Sequence, residues 1–160
     1  MRFVIVLFFV WTLGAGIPVL RLERIGNGFG SIFDSGLNGP SNTVLLLEVD
    51  ATGKILFRDG FNSNACIGEY IITKTCMRKF LRVFKKNVYQ VKRLNMIVSD
   101  ADYYRLSFRD SAGECIVCTN YPPIGVESSE FWGQSTRLDH LALQWRNMFI
   151  SVENIIKTCE

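Results

Sequence analysis

The sequence predicts an α+β domain: one antiparallel sheet of about four strands with two amphipathic helices packed on one face, in ββαββα order. Three observations predict it. Residues 73–91 and 136–157 repeat apolar side chains every three or four positions, which marks one buried stripe on a helix. Residues 103–109 alternate apolar and polar side chains, which marks a half-buried strand. Two short glycine-containing links each join a pair of β-rich runs, which marks hairpins. A chain of 160 residues, 48% hydrophobic with 4 Pro, has the size and composition of one folded domain.

Residues 1–16 read as a secretory signal peptide, leaving a single domain over 17–160. Arg2 supplies the positive start, Phe3–Leu13 the apolar run, and Gly14, Ala15 and Gly16 the small residues before cleavage. A membrane span needs ~20 apolar residues, and this run stops short of that. The expected location is therefore secreted and extracellular, an oxidising compartment in which thiols pair. No Asn-x-Ser/Thr sequon occurs, so N-glycosylation is not expected.

Glycines spread through Ile25–Pro40 predict an irregular segment with one short strand near Ser31–Phe33. Thr43–Asp50 and Lys54–Asp59 form the first hairpin around Asp50-Ala51-Thr52-Gly53, and Phe61–Cys66 is a loop. The first helix spans 73–91, with Met77, Phe80, Leu81, Phe84, Val88 and Val91 inward. Tyr104, Leu106 and Phe108 face the core from the next strand, which turns at Ser111-Ala112-Gly113 into Cys115–Thr119. Tyr121–Trp132 is a loop. The last helix, 136–157, buries Leu138, Leu141, Trp145, Met148, Val152 and Ile155, with Thr136 and Asp139 as a capping box.

Candidate chemistry is sparse. Gly26-Asn27-Gly28-Phe29-Gly30 is followed by Ser31 where a G-x-G-x-x-G dinucleotide loop has its third glycine, and by loop and β-rich sequence in place of its helix, so nucleotide binding is not expected. A single histidine, His140, excludes a multi-histidine zinc site within one chain, and no cofactor or metal is expected. His140 has no recognisable nucleophile motif to serve, so a hydrolase is the weakest of three functional readings. Asp100, Asp102, Asp110 and Glu114 match no calcium-loop spacing and read as turn residues.

Five cysteines, Cys66, Cys76, Cys115, Cys118 and Cys159, permit one or two bridges with one thiol over. Cys66 or Cys76 is expected to tie the loop–helix junction to a neighbour, and Cys159 to secure the last helix. Cys115 and Cys118 form C-x-x-C within a strand, where residues three apart point to opposite faces. One is expected in a disulfide and the other buried. The odd cysteine also allows a disulfide-linked homodimer.

The most distinctive local feature is cationic. Lys74, Arg78, Lys79, Arg82, Lys85, Lys86, Lys92 and Arg93 crowd the first helix and its end, with no acidic residue between Ile71 and Ser99. Lys74, Arg78, Arg82, Lys85 and Lys86 are the candidate site for an anionic polymer, an anionic membrane surface or an acidic partner. The alternative is a solvated face balanced within the molecule. Residues 17–99 carry 12 basic and 6 acidic side chains, and residues 100–160 carry 5 and 9. A formal net charge of +3 excludes the overall basic footprint of a nucleic-acid wrapper.

Ser35–Phe57 (SGLNGPSNTVLLLEVDATGKILF), the helix ending near Val88–Leu94, and Asp102–Phe108 (DYYRLSF) turning into a further strand are similar in layout to the emfourin family of small metalloprotease inhibitors. The similarity covers about Ser35 to Ile156, and Gly36-Leu37-Asn38-Gly39 departs from that family's adjacent glycine pair. The resemblance implies an order of elements and a non-enzymatic, protease-facing role. The leading expectation is thus a secreted, non-enzymatic binding protein, a protease inhibitor or similar extracellular effector, with residues 26–40 and 121–132 as the loops that would contact a protease. The second is a binder of anionic polymers or membrane surfaces through the basic helix 74–93.

Overall fold

Leu20 and Leu22, fully buried, sit at the centre of a six-stranded antiparallel sheet. A computed structural model describes residues 18–26, 42–95, 101–124 and 136–159. Along the chain run β1 (Pro18–Gly26), β2 (Asn42–Asp50), β3 (Lys54–Arg58), β4 (Ile67–Ile71), α1 (Lys74–Val91), β5 (Tyr103–Asp110), β6 (Gly113–Thr119) and α2 (Thr136–Thr158). The strand order is β4-β3-β2-β1-β5-β6. The α+β class and both helices match expectation. The sheet does not: it has six strands rather than about four, and the order is ββββαββα rather than ββαββα. The two additional strands are β1, which joins the halves of the sheet, and β4, which forms one edge.

Cross-strand register explains why this arrangement holds. On one face, Tyr70, Ile55, Val49, Leu20, Phe108 and Cys115 follow one another as paired residues across all six strands. A parallel row runs Gly68, Phe57, Leu47, Leu22, Leu106 and Val117. Period-two alternation sends both rows to the same side, where α1 and α2 cover them. A register shift between Leu22 and Glu23 marks a bulge on β2, and Leu46 and Leu47 are both buried there.

The helices fill this face with aromatic rings. Phe84 of α1 stacks on Phe108 at 5.8 Å, and Phe149 of α2 meets Trp145, Phe61 and Phe84 edge-on at 4.8, 5.1 and 6.0 Å. Phe80, Phe84, Leu106, Phe108, Leu141, Trp145 and Val152 are all in the core, as their spacing predicts. Phe61 adopts a left-handed backbone (φ 53°), an uncommon conformation for a bulky residue, held by its packing against Phe57 and Phe149. Gly53 closes the β2–β3 turn at φ +92°, and a Cβ there would lie 3.0 Å from the Ile72 carbonyl oxygen. Thr73 caps α1 by accepting from the Cys76 amide at 3.3 Å. The expected signal segment, the strand expected near Ser31–Phe33 and the side chains of Thr136 and Asp139 lie outside the described residues.

Candidate functional site

α1 divides cleanly into an apolar half committed to the core and a polar half that carries the cations. Phe80, Phe84, Val88 and Val91 have no exposed surface. Lys74, Arg78, Arg82, Lys85 and Lys86 are all exposed, as are Lys79, Lys92 and Arg93. A helix rises about 1.5 Å per residue, so Lys74 to Lys86 span about 18 Å of one rigid rod.

None of these cations forms an ion pair among the described residues. The carboxylates are engaged elsewhere: Arg21 with Glu23 at 2.9 Å, Lys54 with Glu69 at 2.9 Å, and Lys157 with Glu153 at 2.7 Å and Asp59 at 3.2 Å. Arg109 meets Glu114 at 3.6 Å, and Arg24 is clamped by Asp102 and donates to Ser63 Oγ at 2.6 Å. Of the four acidic residues that read as turn residues, Asp102 and Glu114 are thus in ion pairs. Asp110 accepts from the Ala112 amide at 2.8 Å and the Tyr89 hydroxyl at 3.3 Å, and Asp100 lies outside the described residues.

The structure divides the cations into two rows. Arg82, Lys86 and Arg93 line clefts against α2, whereas Lys74, Arg78 and Lys85 line neither. One cleft, of about 330 Å³, has Arg82, Lys86 and Asn87 on one wall and Gln144, Asn147 and Ser151 on the other. The second, of about 570 Å³, is lined by Tyr89, Gln90, Arg93, His140, Leu141 and Gln144. Gln144 belongs to both, so together they form one groove between the helices. Its Nε2 donates to Gln90 Oε1 at 3.3 Å, while its own Oε1 is buried and accepts no hydrogen bond among the described residues.

Sequence reasoning found the cationic wall and missed the α2 wall. Those residues carry no charge and no motif. Their one signal is spacing: 140, 144, 147 and 151 recur as a polar stripe on one side of the helix. His140, considered above only as a catalytic residue, is exposed and faces this groove.

Cys76 and Cys159 form a disulfide within the chain, joining the first turn of α1 to the residue after α2. Cys66, Cys115 and Cys118 are free thiols, so neither member of the C-x-x-C pair is in a disulfide as one was expected to be. The pleat explains it: Cys115 is buried on the helix-covered face, and Cys118 points to the other. Burial pushes the Cys115 thiol up despite Lys92, and the Cys118 thiol up despite Arg105, so both favour the unreactive protonated form.

Residues 27–41 and 125–135, which hold most of the two loops expected to contact a protease, lie outside the described residues. Tyr121, expected in an exposed loop, is buried instead, and its carbonyl accepts from Trp145 Nε1 at 3.2 Å. Among the described residues no helix is long and apolar enough to cross a membrane, and no group of three metal-ligating side chains converges. Comparison with known proteins matches the chain to no family model and to no curated protein.

Proposed function

We propose that this chain is an exported, non-enzymatic binding protein that engages an anionic extracellular polymer through the cationic face of α1. The observation that carries the reading is the set of eight exposed cations on α1 and the turn that ends it, whose charges no carboxylate among the described residues neutralises. Like charges at i, i+4 cost a helix some stability, so an unbalanced row destabilises the fold with no structural gain. A linear polyanion offsets that loss, because each cation that replaces a condensed counterion contributes entropy to binding.

The same helix argues against lipid insertion. An interfacial helix needs its apolar side free for the acyl region, and Phe80, Phe84, Val88 and Val91 are committed to the core. A polymer asks only for the charged side. Retention on an immobilised sulfated polysaccharide at about 50 mM salt, with release by about 500 mM, tests the proposal, since screening weakens exposed charge contacts steeply over that range. Retention that persists at the higher salt would contradict binding through exposed charges. A protease recovered with the chain in a pull-down from its own secretory fluid at about 500 mM salt would favour the inhibitor reading, whose loops fall largely in residues 27–41 and 125–135.

A further inference from the structure

We propose that the groove between α1 and α2 is a subsite for one acidic sugar unit of such a polymer, its anionic group held by Arg93 and His140 and a sugar hydroxyl donating to Gln144 Oε1. This rests on the anionic-polymer reading and narrows it from polyanions in general to acidic saccharides.

Two independent features of the 570 Å³ cleft point the same way. The first is charge. Arg93 presents a guanidinium that pairs with no carboxylate among the described residues, and its planar fork suits a sulfate or carboxylate. His140 lies along the same cleft, and a histidine offers an N–H donor in either protonation state. Tyr89 is not available in the same way, because its hydroxyl donates to Asp110 at 3.3 Å.

The second feature is an acceptor that lacks a donor. Gln144 donates its Nε2 to Gln90, which leaves Oε1 buried and unpaired among the described residues. Buried polar atoms are nearly always hydrogen-bonded, so each exception calls for an explanation. Gln144 lines both clefts, so a ligand seated in the groove lies beside the side chain whose Oε1 lacks a donor among the described residues. A ligand that satisfies it must carry a donor as well as a negative charge. A sulfated or uronic sugar carries both on one ring. Polyphosphate carries the charge without internal hydroxyls. The adjoining 330 Å³ cleft, with Lys86 opposite Asn147 and Ser151, continues the groove and suits the next unit of the chain.

The test compares a sulfated hexasaccharide with polyphosphate of matched charge, measured by titration calorimetry against the disulfide-intact mature chain. The wild type is expected to bind the saccharide more tightly. Gln144→Leu is expected to weaken saccharide binding about fivefold, the effect of one lost hydrogen bond, and to leave polyphosphate binding unchanged. Arg93→Gln is expected to weaken both. Thermal midpoints check folding, and Gln144→Met replaces Gln144→Leu where the latter lowers the midpoint. Equal wild-type affinity for the two polymers, or a Gln144 variant that loses both equally or neither, overturns the subsite and leaves the cationic face standing. Absence of binding to either polymer overturns both.

Discussion

Cys76, in the first turn of α1, is bonded to Cys159, one residue past α2, so a single bridge between residues 83 apart in sequence fixes one end of the helix pair. The Cα atoms lie 6.3 Å apart, within the range a disulfide spans without moving the backbone. Closing so long a loop restricts the unfolded chain. Cys76→Ala/Cys159→Ala is expected to lose about 2–4 kcal/mol of unfolding free energy. Denaturant titration of both forms measures this, and coincident midpoints would contradict it.

The remaining thiols are expected to react in order. Cys66 is exposed, Cys118 is half-buried and Cys115 is buried among the core rows. Burial also raises the Cys115 and Cys118 thiols, which lowers their thiolate fraction at neutral pH. Timed alkylation of the native protein with peptide mapping should label Cys66 first, Cys118 later and Cys115 only on unfolding. Early labelling of Cys115 would contradict the packing of β6.

Asp50 is expected to give the β2–β3 turn an acid-sensitive contribution. Burial works against its ionisation, but the Thr52 hydroxyl at 2.6 Å and the amides of Lys54 at 3.0 Å and Thr52 at 2.8 Å donate to Oδ1 and together hold its carboxyl below the usual value of 3.8. A depressed folded-state value means that the stabilisation is complete above the unfolded value and is lost as pH falls through the folded one. Asp50→Ala should therefore be less stable than the parent at pH 6, and the gap should narrow below about pH 4. A gap that is constant with pH would show that the carboxylate charge plays no part.

How much of this was legible in the sequence depended on whether a segment announced its period. Phe80, Phe84 and Val88, or Leu106 and Phe108, repeat over enough residues for only one element to fit, and their burial follows. β1 alternates as well, with Leu20 and Leu22 against Arg21 and Glu23, but the run is short and lies between a strongly apolar stretch and glycine-rich chain. Its central place comes from pairing with β2 and β5 at once, a non-local fact that no local window contains. β4 carries Gly68 and Glu69, both poor strand formers, and leaves Ile67 and Ile71 exposed; it is a strand because β3 offers an edge. In the candidate site, charge made one wall visible. The other wall, Gln144 with Asn147 and Ser151, becomes a site only when α2 is laid beside α1.

Arg82→Glu separates a functional from a structural use of the basic face. The introduced carboxylate would face Arg78 and Lys86 at i−4 and i+4, turning like-charge neighbours into opposite-charge ones. Stability is expected to rise by about 0.5 kcal/mol while affinity for the sulfated polymer falls. Thermal unfolding and binding on one preparation read both. A loss of stability would mean that Arg82 serves the fold.

The salt dependence of binding decides whether the cations of α1 hold the polymer. The affinity of the protein for a sulfated oligosaccharide is measured across a salt series, for the parent and for Lys85→Glu/Lys86→Glu. Log K is expected to fall linearly with log salt concentration, with a slope shallower in the variant by about one for each sulfate-contacting cation removed. Binding that is insensitive to salt, or a slope that the variant leaves unchanged, would contradict it.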